Sequence, residues 1–528
     1  MPKPAAAIGW RMAMVAALAI ACMVEGDAVA ATFVVDSTAD IADADTSDGL
    51  CNDGTGHCTL RAAIQQANSS GGANTISVPA GNYLLSVGSL FVTAPTINLA
   101  ITGTGAAGTV VIDGQGALAI FNLQRGTVTL TNLVIQNGKF TIANVGAFGA
   151  CVGAGILAGG ATTININSSI IQNNSAVNAS GSGLCILAGT VNLDQTTVRN
   201  NSSTYGGSGV RIQSPGILNV TNSTFNGNTA SDSNASGAAI ETQSTVNVTN
   251  STISGNLLAG PGSAIAVIAE TTTLRNVTIA GNGPGPQLSV FSTGAVARVE
   301  STIISNANGG ANCNAFSNGV ITSNGHNLDS GTTCGFANGG DITTGNPMLG
   351  ALQNNGGPTT THALLPGSAA QDKGSNPANL VLDQRGNGFA RIVGPAADIG
   401  AFESTTPAMV PTLDVDASLT ATKYDALTDG LITLRYMFGL IGPSLTNGAL
   451  GATATRTDPL AVKSYLDGIR TSLDIDGNGK TDALTDGLLI LRYLFGLRGS
   501  SLIAGAFDPL GSRTTAAAIE AYILSLMP

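Results

Sequence analysis

Nine residues near the C-terminus carry the clearest chemistry in this 528-residue chain: Asp474-Ile475-Asp476-Gly477-Asn478-Gly479-Lys480-Thr481-Asp482. Oxygen-bearing side chains stand at loop positions 1, 3, 5 and 9, and a glycine stands at position 6. A hard divalent cation takes about six to eight oxygens, and such a loop turns alternate side chains inward while the glycine permits the sharp bend. The Lys480 carbonyl falls at position 7. Position 12, where a carboxylate is expected, is Thr485, and the next residue is Asp486. The spacing predicts a Ca2+ loop held by Asp474, Asp476, Asn478, Lys480 (through its carbonyl), Asp482 and Asp486. The competing reading is an acidic loop that is simply solvated.

A second loop precedes it. Asp414, Asp416 and Ser418 take positions 1, 3 and 5, and Thr422 takes position 9. Leu419 stands where the glycine is expected, and the loop is three residues longer. Counting from Asp414 puts Asp425 at position 12. However, residues 425–470 align with 482–527 at a constant offset of 57, which equates Asp425 with Asp482 and Asp429 with Asp486. Both counts stay open, and one to two Ca2+ ions are expected in the region 413–528.

Each copy must place its loop on helices. Asp425-Ala-Leu-Thr-Asp-Gly430 matches Asp482-Ala-Leu-Thr-Asp-Gly487, and Leu434-Arg-Tyr-Met-Phe-Gly439 matches Leu491-Arg-Tyr-Leu-Phe-Gly496. A helix beginning near Thr-Asp and stopping at the closing Gly is predicted in both copies. A second helix follows each time. One starts at Thr457-Asp458-Pro459, and the other carries Ile519, Tyr522, Ile523 and Leu526 on one face. Two calcium loops, each followed by a helix, resemble a type I dockerin, an EF-hand-type module. That resemblance implies docking to a cohesin-like or other surface protein. It also assigns recognition to loop positions 10 and 11, here Ala483 and Leu484 with Ala426 and Leu427 as their equivalents. Near-identical copies imply two binding orientations. The copies are longer than the usual dockerin repeat, and both leucines also suit a core position at the first helical turn.

The rest of the chain is organised by a repeat. Asn174, Asn201, Asn228, Asn256 and Asn282 close short β-rich phrases at spacings of 27, 27, 28 and 26. A period in the twenties means one unit stacked on its copies. The units alternate Val, Ile, Leu and Thr with Asn and Ser, and none carries a helical pattern or a leucine ladder. The expected fold is an all-β right-handed parallel β-helix, a pectin-lyase-like solenoid, over residues 75–310. The closing asparagines suit left-handed turn positions and stacked amide ladders.

Chemistry on this repeat is sparse. Phrase counting puts Cys185, Arg211 and Glu241 in the same place of successive coils, so Arg211 and Glu241 would lie about 5 Å apart. The pair is either catalytic, as in a polysaccharide lyase or O-glycosyl hydrolase, or a surface ion pair. No paired-Asp, Gly-His-Gly or Arg-x-Pro-x-x-Arg phrase accompanies it. His362 and Asp398 suggest turn and cap hydrogen bonding.

Composition bounds the partners. Net charge is −11, charged residues are 10% and Gly numbers 69. No basic patch could neutralise phosphates, which excludes nucleic acid. Lys3 and Arg11, the apolar run Met12–Val24 and Ala28-Val29-Ala30 predict a signal peptide over 1–30. Cys22 leaves a lipoprotein alternative open. No later stretch is apolar and long enough to span a membrane. Six cysteines remain, an even number that favours disulfides in an exported chain. Cys51–Cys58 and Cys313–Cys334 are plausible local pairs, and Cys151 with Cys185 is left open.

Two further resemblances frame the repeat. Cys58-Thr-Leu-Arg-Ala-Ala63, within a predicted N-terminal cap at 31–74, resembles the CSLREA domain of bacterial surface β-helix proteins. Thr replaces Ser there and the Glu is lost. Asn346-Pro-Met-Leu-Gly, the stretch Asn354–Ser368, Asp383-Gln-Arg-Gly386 and Asp398-Ile-Gly-Ala-Phe-Glu403 together resemble the choice-of-anchor Q domain, placing it at 311–403. That resemblance implies a β-helix end followed by an anchor. Residues 404–412 read as a linker. The chain is therefore expected to be extracellular or on a bacterial cell surface. The first reading is a carbohydrate-binding or adhesive protein docked through calcium. The second is a polysaccharide-degrading enzyme targeted by its dockerin. An uncharged Asn/Ser/Thr face favours the binder, and clustered charges favour the enzyme.

Overall fold

Along Thr162–Asn167 side chains alternate between buried and half-exposed, and the same alternation recurs one period later in Thr190–Asp194, Ile217–Thr221 and Thr245–Thr249. Parallel pairing stacks these strands in register. Ile164, Val191, Leu218 and Val246 form one inward column, and Ile166, Leu193, Val220, Val248, Leu274 and Val299 form the next. Each of these ten side chains is at most 1% exposed, so the apolar interior runs continuously along the axis.

The computed structural model describes residues 30–143, 150–160, 162–260, 262–306, 309–405, 411–418 and 423–528. The expected signal peptide, with Cys22, lies outside the described residues apart from Ala30. The chain forms a parallel β-solenoid with three long sheets. Sheet I has eleven strands, from Ala31–Val34 to Val320–Ser323; sheet II has eleven, from Gly81–Leu84 to Ile342–Thr343; sheet III has nine, from Leu90–Val92 to Cys313–Ala315. A side sheet of five short strands, Lys139–Thr141 to Leu257–Leu258, lies between sheets II and III in chain order. Strand pairing thus extends beyond 75–310 on both sides.

The corners show where the asparagines act. Leaving sheet II, the left-handed residue is Asn173, Asn200, Gly227, Gly255 or Gly281, with φ of 56°, 53°, 65°, 67° and 63°. The closing asparagines sit one residue later than the left-handed positions the sequence suggested for them. The left-handed residue turns the chain, and the following side chain is carried inside, where its amide must be satisfied. Asn174, Asn201, Asn228, Asn256 and Asn282 are buried. Their amides form a ladder, each Nδ2 donating to the next Oδ1 at 2.9, 3.0, 2.8 and 2.8 Å, and Asn282 ends it on Gln287 at 2.7 Å. A second ladder, Asn247 to Asn219 to Asn192 to Asn165, runs on the outward face of sheet I at 3.0, 2.8 and 2.8 Å.

Helix α1 (Leu60–Ser70) closes the first coil. Thr59 caps it by accepting the Ala62 N–H. The helix runs for three turns, and Leu60, Ala63, Ile64 and Ala67 join the solenoid core. The Cys51–Cys58 and Cys313–Cys334 disulfides form, with Cα–Cα distances of 5.1 and 4.7 Å. Cys151–Cys185 also forms, at 5.6 Å, because Cys151 lies against Ser180, ahead of Cys185 in the next coil.

Residues 346–404 form a strap that runs back along the corner between sheets I and II. Ala401 N–H donates to Thr278 Oγ1 and Gly400 N–H to the Ser301 carbonyl. Further back, Thr252 Oγ1 donates to Gln384 Oε1 at 2.6 Å, and Thr224 Oγ1 donates to the Thr360 carbonyl at 2.6 Å. Buried Arg391–Glu403 and Arg385–Asp383 pairs fix the strap, and the Arg385 guanidinium lies between the Phe389 and Phe402 rings.

Beyond residue 411 the chain is helical and has its own apolar core. In each copy a π-helical turn, Ala426–Gly430 or Ala483–Gly487, runs into a helix, α2 (Leu431–Met437) or α3 (Leu488–Leu494). The second helices follow, Pro459–Ile469 with an Asp458 cap and Ala516–Ser525 with a Thr515 cap. Two helices cross closely: a Cβ on Gly430 would touch Leu491, and one on Gly487 would touch Leu434. Among the described residues no helix is long and apolar enough to cross a membrane.

Candidate metal centres and a polar recess

The helical module gathers two triads, Asp414–Asp416–Asp429 and Asp474–Asp476–Asp486. In each, one carboxylate oxygen per residue lies within 4.8 Å of the others. The structure chooses between the two counts for the first loop, since Asp429 rather than Asp425 joins the cluster. Asp425 and Asp482 instead cap the π-helical turns, accepting the Leu427 and Leu484 N–H groups at 2.8 and 2.9 Å. Lys480 donates its N–H to Asn478 Oδ1, and Ser418 Oγ donates to Asp416 Oδ1.

The two triads are built alike. Asp429 Oδ1 accepts the Val415 N–H, and Asp486 Oδ1 accepts the Ile475 N–H, both at 2.6 Å. Asp416 Oδ2 accepts from Gly451, and Asp476 Oδ2 from Asp508. Asp416, Asp429, Asp476 and Asp486 are fully buried. Among the described residues no Lys, Arg or His makes a salt bridge to any of the six carboxylates. Burial, together with the Asp416 charge, pushes the Asp429 carboxyl up to about 7; burial and the Asp476 charge push Asp486 up to about 6. In each triad two buried carboxylates and one half-buried carboxylate converge without a salt-bridged cation, and such a set of hard oxygens fits a divalent cation of the calcium kind.

The recognition positions divide. Ala426 and Ala483 are buried, whereas Leu427 and Leu484 are 62% and 66% exposed. The core position that the two leucines could have taken is not used. Phe438 and Phe495, also equivalent, are exposed as well.

On the solenoid, Arg211 pairs with Glu241 in register, as expected. The ion pair, at 2.8 Å, is buried rather than on the surface, with side chains 10% and 4% exposed. Arg211 also donates to Ser180 Oγ, while its buried Nε has no partner. The pair lines a recess of about 260 Å³ with Tyr205, Asp232 and Asn234. Gly181, Gly206 and Gly207, in the loops before sheet III, lie against Arg211 and Glu241 and cover these side chains. The outward face of sheet I is mainly Thr and Asn from Thr127 to Thr249, with Asp194 its one charged residue among the described strands there.

His362 and Asp398 serve the strap. His362 Nδ1 meets the Gly350 carbonyl at 2.7 Å and Nε2 meets Ser254 Oγ at 2.8 Å, and burial holds its imidazole below the ordinary range. Asp398 accepts the Asp372 and Ser404 N–H groups. Arg456 and Arg513 belong to no motif singled out in the sequence, although they are an identical pair at the 57-residue offset of the duplication; they grip the carbonyls of the two loops.

Fold and sites define a parallel β-solenoid protein with a duplicated, acid-lined helical module. No family model matches the chain, and no curated protein matches it. Among solved structures it is similar to the crystal structure of pectate lyase Pel9A, at 12% identity and a TM-score of 0.39, covering 71% of this chain and 96% of that one.

Proposed function

We propose that this is an exported β-solenoid protein, secreted or held at the cell surface, whose C-terminal module binds calcium and docks it to a partner in the manner of a dockerin. The observation that carries the reading is the pair of carboxylate triads at equivalent places of the duplication, each next to an exposed leucine. Bound calcium would neutralise the carboxylates gathered in each triad. Leu427 and Leu484, with Phe438 and Phe495, would then form the apolar contact for a cohesin-like or other surface protein. The Thr/Asn face of sheet I suits hydrogen bonding to polysaccharide hydroxyls, so the solenoid is read as carbohydrate-binding or adhesive.

Calorimetric calcium titration of the full chain tests the docking reading. Two sites are expected, falling to one in D476N and to none in D416N/D476N. A wild-type chain that takes up no calcium at millimolar concentration would remove it. A second reading, a polysaccharide lyase or glycoside hydrolase targeted by the same module, rests on the buried Arg211–Glu241 pair beside its recess. Cleavage of a polysaccharide that E241Q abolishes would establish that reading instead.

A further inference from the structure

We infer that Arg456 and Arg513 are positioning residues that lock the two acidic loops in their metal-ready shape before any metal arrives. The inference rests on the calcium reading and adds how the loops are held without the ion. In the second copy Arg513 Nε donates to the Ile475 carbonyl at 2.7 Å, Nη2 donates to the Asp474 carbonyl, and its own N–H donates to the Asp476 carbonyl at 2.8 Å. One arginine therefore holds three consecutive carbonyls. In the first copy Arg456 Nη1 donates to the Asp414 and Val415 carbonyls, and its N–H donates to the Asp416 carbonyl at 2.8 Å. The guanidinium is itself fixed, lying 3.9 Å from the Tyr522 ring in one copy and 3.7 Å from the Tyr465 ring in the other.

The opposite edge of the same peptide segment is held too. Asp486 Oδ1 accepts from Ile475 and Asp476, and Asp429 Oδ1 accepts from Val415 and Asp416. Carbonyls on one side are thus engaged by the arginine's side chain and backbone N–H, and N–H groups on the other by an aspartate side chain of the same copy. The arrangement appears twice, although the loops differ in length and in Ala417 standing for Gly477. In the second copy two nitrogens of the arginine fork match two adjacent acceptors, which an ammonium does not, while in the first copy Nη1 serves both. The arginine reaches across 38 to 42 residues, so it ties the loop to the start of the second helix. Calcium would then bind a loop already in place, without the gain of helix that a metal-folded module shows.

Amide hydrogen exchange on the full chain, followed by mass spectrometry, tests this. In chelator, wild-type stretches 474–482 and 414–418 should be protected nearly as well as in calcium. R513Q should speed exchange of 474–482 in chelator by roughly ten- to a hundredfold, the range for losing hydrogen bonds to a charged group. Calcium should restore most of that protection, since the ion replaces the clamp, and 414–418 should be unchanged in the same molecules. R513K should fall between wild type and R513Q, and R456Q should reverse the pattern between the two loops. The proposal is overturned if wild-type loops exchange freely in chelator. It is equally overturned if R513Q opens the loop to the same extent with and without calcium, which marks a prop for the fold alone. Should R513Q not fold, R513K and R456Q decide the matter by the same criteria. Slow exchange in a chain whose calorimetry shows no calcium uptake would sink the calcium reading and leave the clamp standing.

Discussion

The two asparagine ladders offer a controlled comparison, because the same amide-to-amide bond occurs in one buried and one outward row. In Asn228→Ala the Asn201 N–H and one Asn201 Nδ2 proton lose the acceptor that now takes both at 3.1 and 3.0 Å. The Val198 carbonyl loses the Asn228 Nδ2 donor. Asn201 and Asn228 are fully buried, so water cannot replace these partners. Two orphaned donors cost about 1–3 kcal/mol each, and the vacated volume adds about 1 kcal/mol. The expected loss is about 3–7 kcal/mol, a large share of a typical domain's stability of about 5–15 kcal/mol. In Asn219→Ala the broken bonds, to Asn192 at 2.8 Å and from Asn247 at 3.0 Å, lie on the half-exposed face. Water takes over there, and the expected loss is about 0.5–1 kcal/mol. Urea unfolding followed by circular dichroism reads both. Equal losses in the two variants would refute the claim that burial, rather than the amide bond itself, makes the inner ladder stabilising.

Further outcomes follow from the sites. Asp429 and Asp486 titrate at about 7 and about 6 in the metal-free fold, above the ordinary 3.8, so the folded module holds protons that the unfolded chain releases. The stability these two carboxyls contribute to the metal-free fold should therefore be fully present below pH of about 4 and be lost as pH rises through 6 to 7, whereas calcium affinity should move the other way. Proton competition at pH 5.5 should weaken calcium at both loops; calorimetry across pH reads this, and a flat profile contradicts it. Glu241→Ala should cost about 3–5 kcal/mol by stranding buried Arg211, while R211M/E241L should recover most of it in thermal unfolding. Leu427→Asp with Leu484→Asp should leave calcium uptake intact and abolish capture of a docking partner, measured by surface-binding assay.

How much of this was legible in the sequence depends on the distance over which each interaction acts. The solenoid was, because a column such as Ile164–Val191–Leu218–Val246 repeats at the coil period. The carboxylate triads were nearly so, since Asp474 and Asp476 are local and the 57-residue duplication points to Asp429. Short-range counting alone favoured Asp425, which the fold uses as a helix cap. The amide ladder was legible, but not that the residue before each asparagine takes the left-handed turn. The strap was hidden, and for the clamps the 57-residue offset pairs Arg456 with Arg513 without showing what they touch. Thr224 meets Thr360, and Asp474 meets Arg513, through folding rather than through any spacing. Burial of Arg211 and Glu241 was likewise invisible, because the loops that cover them belong to the neighbouring coils.

The returning strap also sets which parts of this protein are free to change in number. It touches four successive corners, at Asn222–Thr224, Asn250–Ser254, Asn276–Thr278 and Ser301. Inserting or deleting a coil within that interval would shift every later contact by one coil's rise, about 4.8 Å, against a segment of fixed length. The strap's hydrogen bonds to these corners all fall at or after Asn222. Growth or loss of repeats by duplication should therefore be tolerated in the N-terminal half of the solenoid and penalised in the half that the strap measures. The strap acts in effect as a ruler for its own scaffold.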